Sequence, residues 1–293
     1  MKVQKSFNNA ADGALYVVPT PIGNLEDITY RALNVLQESS VIAAEDTRNT
    51  KKLLNHFDIK TPLISYHEHS KLSRQDQIVN RVTNGEIVAL VSDAGMPAIS
   101  DPGSELVQAV IECEKKVIVL PGANAALCAL VGSGLPADQF FFYGFLPRKK
   151  KEKEEELERL KPLQATLLFY ESPYRIKETL KSMLAVFNNR KAVLARELTK
   201  RFEEYVRGDI HELLEWAEKN EIKGECCLVL YGSDAEDTED SMWWSSLSVP
   251  AHVTHYMEQQ QVSSKEAIKR VAKERKMSKR DVYQAFHVDQ KET

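Results

Sequence analysis

Apolar residues in the first 122 positions fall into short runs separated by stretches with helical spacing. LYVV (15–18), VIAAED (41–46), PLISYH (62–67), EIVALVSD (86–93) and KVIVLPG (116–122) are too short for helices and mostly rich in β-branched residues, so each predicts a strand. Between them, DITYRALNVLQES sets Leu33 and Leu36 at helical spacing. TRNTKKLLNHF, the polar stretch ending at Arg81 and DPGSELVQAVIEC read as further helices. Strands joined by helical crossovers predict a mostly parallel α/β sheet.

The pattern changes after Leu120. A helix of small residues, GANAALCALVGSG, leads to FFFYGF (140–145), which reads as a core strand. The charged run RKKKEKEEELERLK reads as a solvated helix. Strands follow at ATLLFYE, AVLAREL and ECCLVLYG, with a hairpin at FEEYVRGDI, and together they predict a second α/β domain with a mixed sheet. Acidic GSDAEDTED (232–240) reads as a linker. Beyond it, AHVTHYMEQQ, SKEAIKRVAKERK and SKRDVYQAFH predict three short helices, the last two opening on Ser263/Glu266 and Ser278/Asp281 capping pairs. The expected divisions are a parallel α/β domain (1–122), a mixed α/β domain (123–232) and a linker with a basic helical module (233–293).

Composition narrows the setting. Hydrophobic residues at 43% and charged residues at 28% are ordinary for a soluble globular chain. MKVQKSFNNAADG has no apolar core, so no signal peptide is expected, and no run is long enough to span a membrane. The four cysteines form no CxxC, and Cys226 and Cys227 read as strand packing, which fits the cytosol. The net charge of −4 means that a nucleic-acid partner must be met by a local basic patch.

Candidate chemistry gathers where strands end. PTPIGN (19–24), AEDTRNT (44–50), SYHEHS (65–70), SDAGMPAISDPG (92–103) and LPGANAA (120–126) each follow a predicted strand. Open α/β sheets bind ligands outside the carboxyl ends of their strands. The two prolines of PTPIGN remove backbone donors, so this loop is no phosphate cradle. GSGLPA (132–137) has the letters of a dinucleotide fingerprint but follows a helix and precedes a strand, the reverse of what the motif needs. There is no P-loop, and HEH (67–69) lacks partners at metal-ligand spacing, so no metal is expected.

PTPIGNLEDIT, AEDTRNTKKLL, SYHEH, SDAGMPAISDPG, LPGANAALCAL, FYGFLPRK, FYESPYR and ARELTK, in that order, resemble the tetrapyrrole methylase family, and within it the branch that methylates ribosomal RNA. The resemblance implies two α/β domains with a cleft between them that holds S-adenosylmethionine, and a helical accessory module. It implies cofactor contacts at Ile22, Ser92, Asp93, Ala94, Met96, Asn124, Ala125, Glu171 and Leu198, with Ser92 standing where the wider family has glycine. It also implies transfer of a methyl group to the ribose 2′-hydroxyl of a cytidine in small-subunit ribosomal RNA, free or assembled, by a cytoplasmic homodimer.

A ribose hydroxyl is a weak acid, and Glu45, Asp46 and His67 at strand ends are candidates to take its proton. Asp46 is preferred, with Arg48 as its carboxylate or phosphate partner, although Asp46 also suits a helix cap. Arg148 and Lys149 are candidates for RNA contact. So are the tail residues Lys265, Lys269, Arg270, Lys273, Arg275, Lys276, Lys279 and Arg280. Two rivals remain: a small-molecule methylase, which leaves the basic tail unexplained, and a non-catalytic RNA-binding protein, which would be expected to have damaged loops.

Overall fold

A computed structural model describes residues 3–6, 13–67, 72–233, 244, 247–260, 262–275 and 277–287. In its first sheet, five parallel strands stand in the order β3 (Leu63–Ser65), β2 (Val41–Ala44), β4 (Ile87–Val91), β1 (Ala14–Val17), β5 (Lys116–Val119). Alternate side chains of each strand feed opposite faces, as the pleat requires. Val18, Ile42, Ala44, Ala89 and Val91 pack under α1 (Tyr30–Glu38) and α2 (Thr47–His56). Leu15, Val41, Ala43, Val88 and Leu90 pack under α3 (Leu72–Thr83) and α4 (Ser104–Glu112). Helices on both faces explain why β2 is buried at every position. The strand order sets β4 beside β1, which brings their following loops together.

The second sheet runs β6 (Phe140–Phe145), β7 (Thr166–Glu171), β10 (Cys226–Leu230), β8 (Lys191–Arg196), β9 (Glu204–Asp209). The pair β6/β7 is parallel and the other pairs are antiparallel, so the sheet is mixed as expected. One face carries α6 (Lys150–Leu160), α7 (Ile176–Phe187) and α8 (Ile210–Lys219) over Leu167, Phe169, Leu194, Leu228 and Leu230. Each fully buried leucine there contributes about 2 kcal/mol relative to exposure. The other face takes α5 (Ala125–Ser133), a helix of small residues that lies close to Leu168, Val193, Cys227 and Val229. Gly134, in the expected false fingerprint, simply ends α5 with a left-handed φ of 75°.

Two local expectations are corrected. FEEYVRGDI is not a hairpin: it is the single strand β9, paired antiparallel with β8. FFFYGF is an edge strand and not a core one, with Phe140, Phe141 and Phe145 more than 40% exposed.

Residues 1–232 form one compact unit and 233–293 another. In the second unit, α9 (Val249–Gln260), α10 (Ser264–Glu274) and α11 (Lys279–His287) bury Val253, Ile268, Val271 and Val282. Ser263 and Ser278 cap α10 and α11 through the Glu266 and Asp281 N–H groups, at the positions the sequence marks. Residues 234–240 of the acidic stretch lie outside the described residues. Among the described residues, no helix is long and apolar enough to cross a membrane.

Candidate active site

The loop after β1 is tied directly to the loop after β4. Thr20 N–H donates to Gly95 O at 3.0 Å and Gly95 N–H returns a bond to Thr20 O at 2.9 Å. Gly95 has a φ of 80°, and a Cβ added there would lie 3.2 Å from Ile22, so the two loops touch as only glycine allows. Buried Ser92 packs beneath them, its carbonyl accepting from the Thr20 hydroxyl at 3.2 Å. Ile22 then reaches into the apolar cluster of Leu130, Leu168 and Leu198 on the second sheet. The proline-framed loop thus links the loop after β4 to the apolar face of the second sheet.

A cavity of about 460 Å³ opens between these loops and the second sheet. That is the size of a pocket for a ligand of cofactor class. Ile22, Met96, Leu198 and Phe145 supply apolar surface, and Glu45, Asp93, Asp101, Glu171 and Glu225 supply carboxylates. Of the nine residues expected to meet a cofactor, eight line this cavity: Ile22, Asp93, Ala94, Met96, Asn124, Ala125, Glu171 and Leu198. Ser92 does not, because it is buried behind the loop it supports.

Most of the polar side chains around the cavity are already partnered. Asp93 accepts from Asp46 N–H at 3.1 Å and from Asn49 Nδ2 at 3.0 Å, which locks the start of α2 to the end of β4. Asn124 caps α5, accepting from Leu127 N–H at 3.0 Å. Glu171, 2% exposed, accepts from Thr179 Oγ1 at 2.7 Å and Ser172 N–H at 2.7 Å, with Arg175 Nε at 3.3 Å. Arg175 also donates to the carbonyls of Leu146 and Pro147, so the segment leading to Arg148 and Lys149 is anchored beside Glu171.

The proton-acceptor candidates separate. Asp46 caps α2 through Arg48 N–H at 2.8 Å and holds the Arg48 guanidinium at 3.0 and 2.6 Å. Those bonds hold its carboxyl down at about 2, so it has little affinity for a proton at neutral pH. The carboxylate preferred as a base is thus the cap of α2 and the partner of Arg48 in this structure. Arg48 is well exposed but shares its charge with Asp46. His67 is exposed past the end of β3 and does not line the cavity, while Glu45 does. Glu68 and His69 of the HEH stretch lie outside the described residues.

Two further residues of the cavity wall lie inside the quoted motifs without being singled out there. Asp101, within DPG, reads as a turn residue, yet it lines the cavity. Burial, then the charge of Glu45, raise its carboxyl to about 6. Tyr170 accepts from Ala126 N–H at 3.2 Å, stitching α5 to β7 at the cavity wall, and burial raises its hydroxyl pKa. Cys226 and Cys227 are buried free thiols whose pKa burial pushes up to about 12, as packing residues should be. Among the described residues, no group of three or more His, Cys, Asp or Glu is arranged to hold a metal ion.

In the C-terminal unit, Lys265, Lys269, Lys273, Lys279 and Arg280 are exposed, and Arg270 lies 5.8 Å over the Tyr256 ring. Arg275 has a different use. It donates to His252 Nδ1 at 3.1 Å and to the carbonyls of Trp244 and Leu247, and it stacks on the Trp244 ring. It is an internal strut of the unit, which removes it from the expected RNA contacts. Lys276 lies outside the described residues.

The model of the family Tetrapyrrole (Corrin/Porphyrin) Methylases matches residues 14–214. The chain belongs to the tetrapyrrole methylase family. A curated relative from Bacillus subtilis (strain 168), named ribosomal RNA small subunit methyltransferase I, is 51% identical over 292 residues, covering 99% of this chain and 100% of its own. One of the same name from Halalkalibacterium halodurans is 53% identical over 288 residues, covering 98% and 99%. A solved structure of uroporphyrin-III C-methyltransferase from Thermus thermophilus, complexed with S-adenyl homocysteine, shares the fold. Its TM-score is 0.54 at 20% identity, covering 75% of this chain and 97% of that one. The family match ends in α8, whereas the two curated relatives run through the C-terminal unit as well.

Proposed function

We propose that the cavity binds S-adenosylmethionine and that the protein transfers its methyl group to the ribose 2′-hydroxyl of a cytidine in small-subunit ribosomal RNA. The observation that carries this reading is the make-up of the cavity wall. Apolar Ile22, Met96 and Leu198 suit an adenosine and a thioether chain, and carboxylates at Asp93 and Glu171 suit a sulfonium and an ammonium. A phosphate-bearing cofactor would meet repulsion from those carboxylates and the proline-framed loop in place of a cradle of N–H donors.

When bound, the cofactor supplies an electrophilic methyl group on a sulfonium. The chain's own part is alignment and exclusion of water. Asp93, fixed by Asp46 N–H and Asn49, and Glu171, fixed by Thr179 and Arg175, hold two sides of the cavity. Phe145 offers an exposed ring beside it for a base to stack on. Arg148 and Lys149 follow on the segment that Arg175 anchors, and in this reading they meet phosphates together with Arg48 at the start of α2. In this reading residues 1–122 and 123–232 are the two walls of the cleft, and 233–293 adds RNA affinity through Lys269, Arg270 and Lys273. The protein acts in the cytoplasm as a homodimer, for which exposed Val119, Leu127 and Val131 offer apolar surface.

The test is tritiated methyl transfer to isolated small subunits and to free ribosomal RNA, with the modified nucleotide mapped afterwards. Label on a cytidine ribose is the expected result. Label on a base, or no label on RNA from either substrate, overturns the reading. The exposed basic residues of the C-terminal unit favour RNA over the small-molecule alternative.

A further inference from the structure

We infer that Tyr174 is a stacking platform at the cavity mouth for the RNA base next to the nucleotide that is methylated. The inference rests on the reading above and adds a substrate contact to it.

The Tyr174 residue is 93% exposed, a large aromatic side chain turned to water beside the cavity. Its two preceding neighbours, Ser172 and Pro173, line the cavity wall. The backbone that carries it is held tightly. Arg175 N–H donates to Ser172 O at 2.9 Å, closing a turn with Pro173 and Tyr174 at its central positions, and proline at the first of them fixes φ. The Arg175 side chain then ties the turn to the carbonyls of Leu146 and Pro147 and lies 3.3 Å from buried Glu171. The ring is therefore presented to solvent from an anchored base.

A second ring stands at the same mouth, placed there by an irregularity of the strand. In β6, Phe142 packs on the α5 face of the sheet and Tyr143 on the opposite face. Strict alternation would send Phe145 to the Tyr143 side, under α6 and α7. Instead the register with β7 shifts between Phe142 and Gly144, so that Gly144 pairs with Phe169 and Phe145 with Tyr170. Gly144 has a φ of 83°, which a β-bulge of this kind needs and glycine supplies. Phe145 is thereby turned onto the Tyr170 face, with the two rings 5.6 Å apart, and it lines the cavity while 55% exposed. An unbulged strand would bury that ring; the bulge leaves it in water at the mouth.

The surroundings say what these rings meet. β6 and β7 run parallel, so Phe145 and the turn of Tyr174 lie at the same end of the sheet, and exposed Arg148 and Lys149 follow on the segment that Arg175 holds. The cavity itself carries Glu45, Asp93 and Asp101. Phosphates are repelled by that interior and attracted by the cations at the rim, so an RNA strand keeps its backbone outside while one nucleoside turns inward. A nucleotide that leaves the strand uncovers the face of the base beside it and loses stacking energy. A rigid exposed ring replaces that lost stack, and it does so for any base because every base has a π-face.

Methyl transfer to isolated small subunits at saturating S-adenosylmethionine tests this in wild type, Tyr174→Phe, Tyr174→Leu and Tyr174→Ala. Loss of one base–ring stack should lower kcat/KM for the subunit by roughly 5- to 150-fold in the Leu and Ala variants. Tyr174→Phe keeps the ring and should stay within about threefold of wild type. Cofactor affinity by calorimetry and the Tm should match wild type in all three, since the side chain is outside the core. A second readout compares binding of a short oligocytidylate with that of an abasic oligoribonucleotide of the same length and charge. Wild type should prefer the strand with bases, and Tyr174→Ala should narrow that preference while holding the abasic strand as well as wild type does.

A Tyr174→Ala enzyme with kcat/KM within about threefold of wild type overturns the inference. So does Tyr174→Phe impaired as much as Tyr174→Ala, which would give the role to the hydroxyl. A fall in cofactor affinity would put the ring in the cofactor wall, and a change of mass in sedimentation would give it to a second copy of the chain; either overturns the inference too. If the wild type methylates RNA and the Tyr174 series is flat, the proposed function stands and this contact falls. If the wild type methylates no RNA, the proposed function fails and this contact with it.

Discussion

Thr179→Val deletes one oxygen from the buried network behind the cavity and keeps the side chain's shape. The Thr179 hydroxyl, fully buried on α7, donates to Glu171 Oε2 at 2.7 Å and accepts from Lys153 Nζ at 3.1 Å. Glu171 and Lys153 are each 2% exposed, so both charged groups lose a partner out of reach of bulk water. A hydrogen bond to a charged group is worth roughly 1.5–3 kcal/mol net. Glu171 keeps Ser172 N–H and Arg175, which sets its loss at the lower end. Burial and the charge of Arg175 already push the Lys153 ammonium pKa down, and without Thr179 it falls further. The sum is a loss of about 3–4 kcal/mol. With a urea slope of about 2–3 kcal/mol/M, the unfolding midpoint measured by far-UV circular dichroism should fall by more than about 1 M. Adding Lys153→Met to Thr179→Val should recover part of the loss, because the stranded ammonium is removed. A loss below about 1 kcal/mol, or a further drop on adding Lys153→Met, refutes the argument.

Asp46→Asn should leave turnover within roughly threefold, since the carboxylate caps α2 and binds Arg48; a fall of a hundredfold or more would return it to catalysis. Arg48→Ala should move the Asp46 carboxyl from about 2 toward 3.8 in an NMR titration, and no movement would mean that Arg48 is not its principal partner. Replacing Lys269, Lys273, Lys279 and Arg280 with glutamate should weaken RNA binding. It should also flatten the plot of log affinity against log salt by about 0.7–0.9 for each phosphate no longer neutralised, and an unchanged slope would remove this face from the RNA interface.

What the sequence revealed and what it hid divide along a physical line. Strands announce themselves through local composition: VIAA is buried on every side chain and reads so because a strand covered by helices on both faces has no polar positions. The loops at their ends follow, because prolines, glycines and charged residues interrupt each run. FFFYGF misled for the converse reason. β-Propensity reports fit to a pleated surface and says nothing about which edge of the sheet a strand takes, and only pairing with β7 alone shows β6 to be at the border.

The chemistry is harder still to read, because a carboxylate's role depends on which donors reach it. Asp46 and Asp101 are equally visible as letters beside strand ends, yet one is held at about 2 by its neighbour two residues on, and the other is raised to about 6 by burial and by acids far along the chain. The first of these was foreseeable, since an Asp before a helix is a cap before it is anything else. The second required the fold: Glu45, Asp93 and Glu225 converge on Asp101 only once β2 lies beside β4 and the second sheet closes over them. Motifs therefore locate the cleft, and the fold decides which donors and which like charges each of its acids meets.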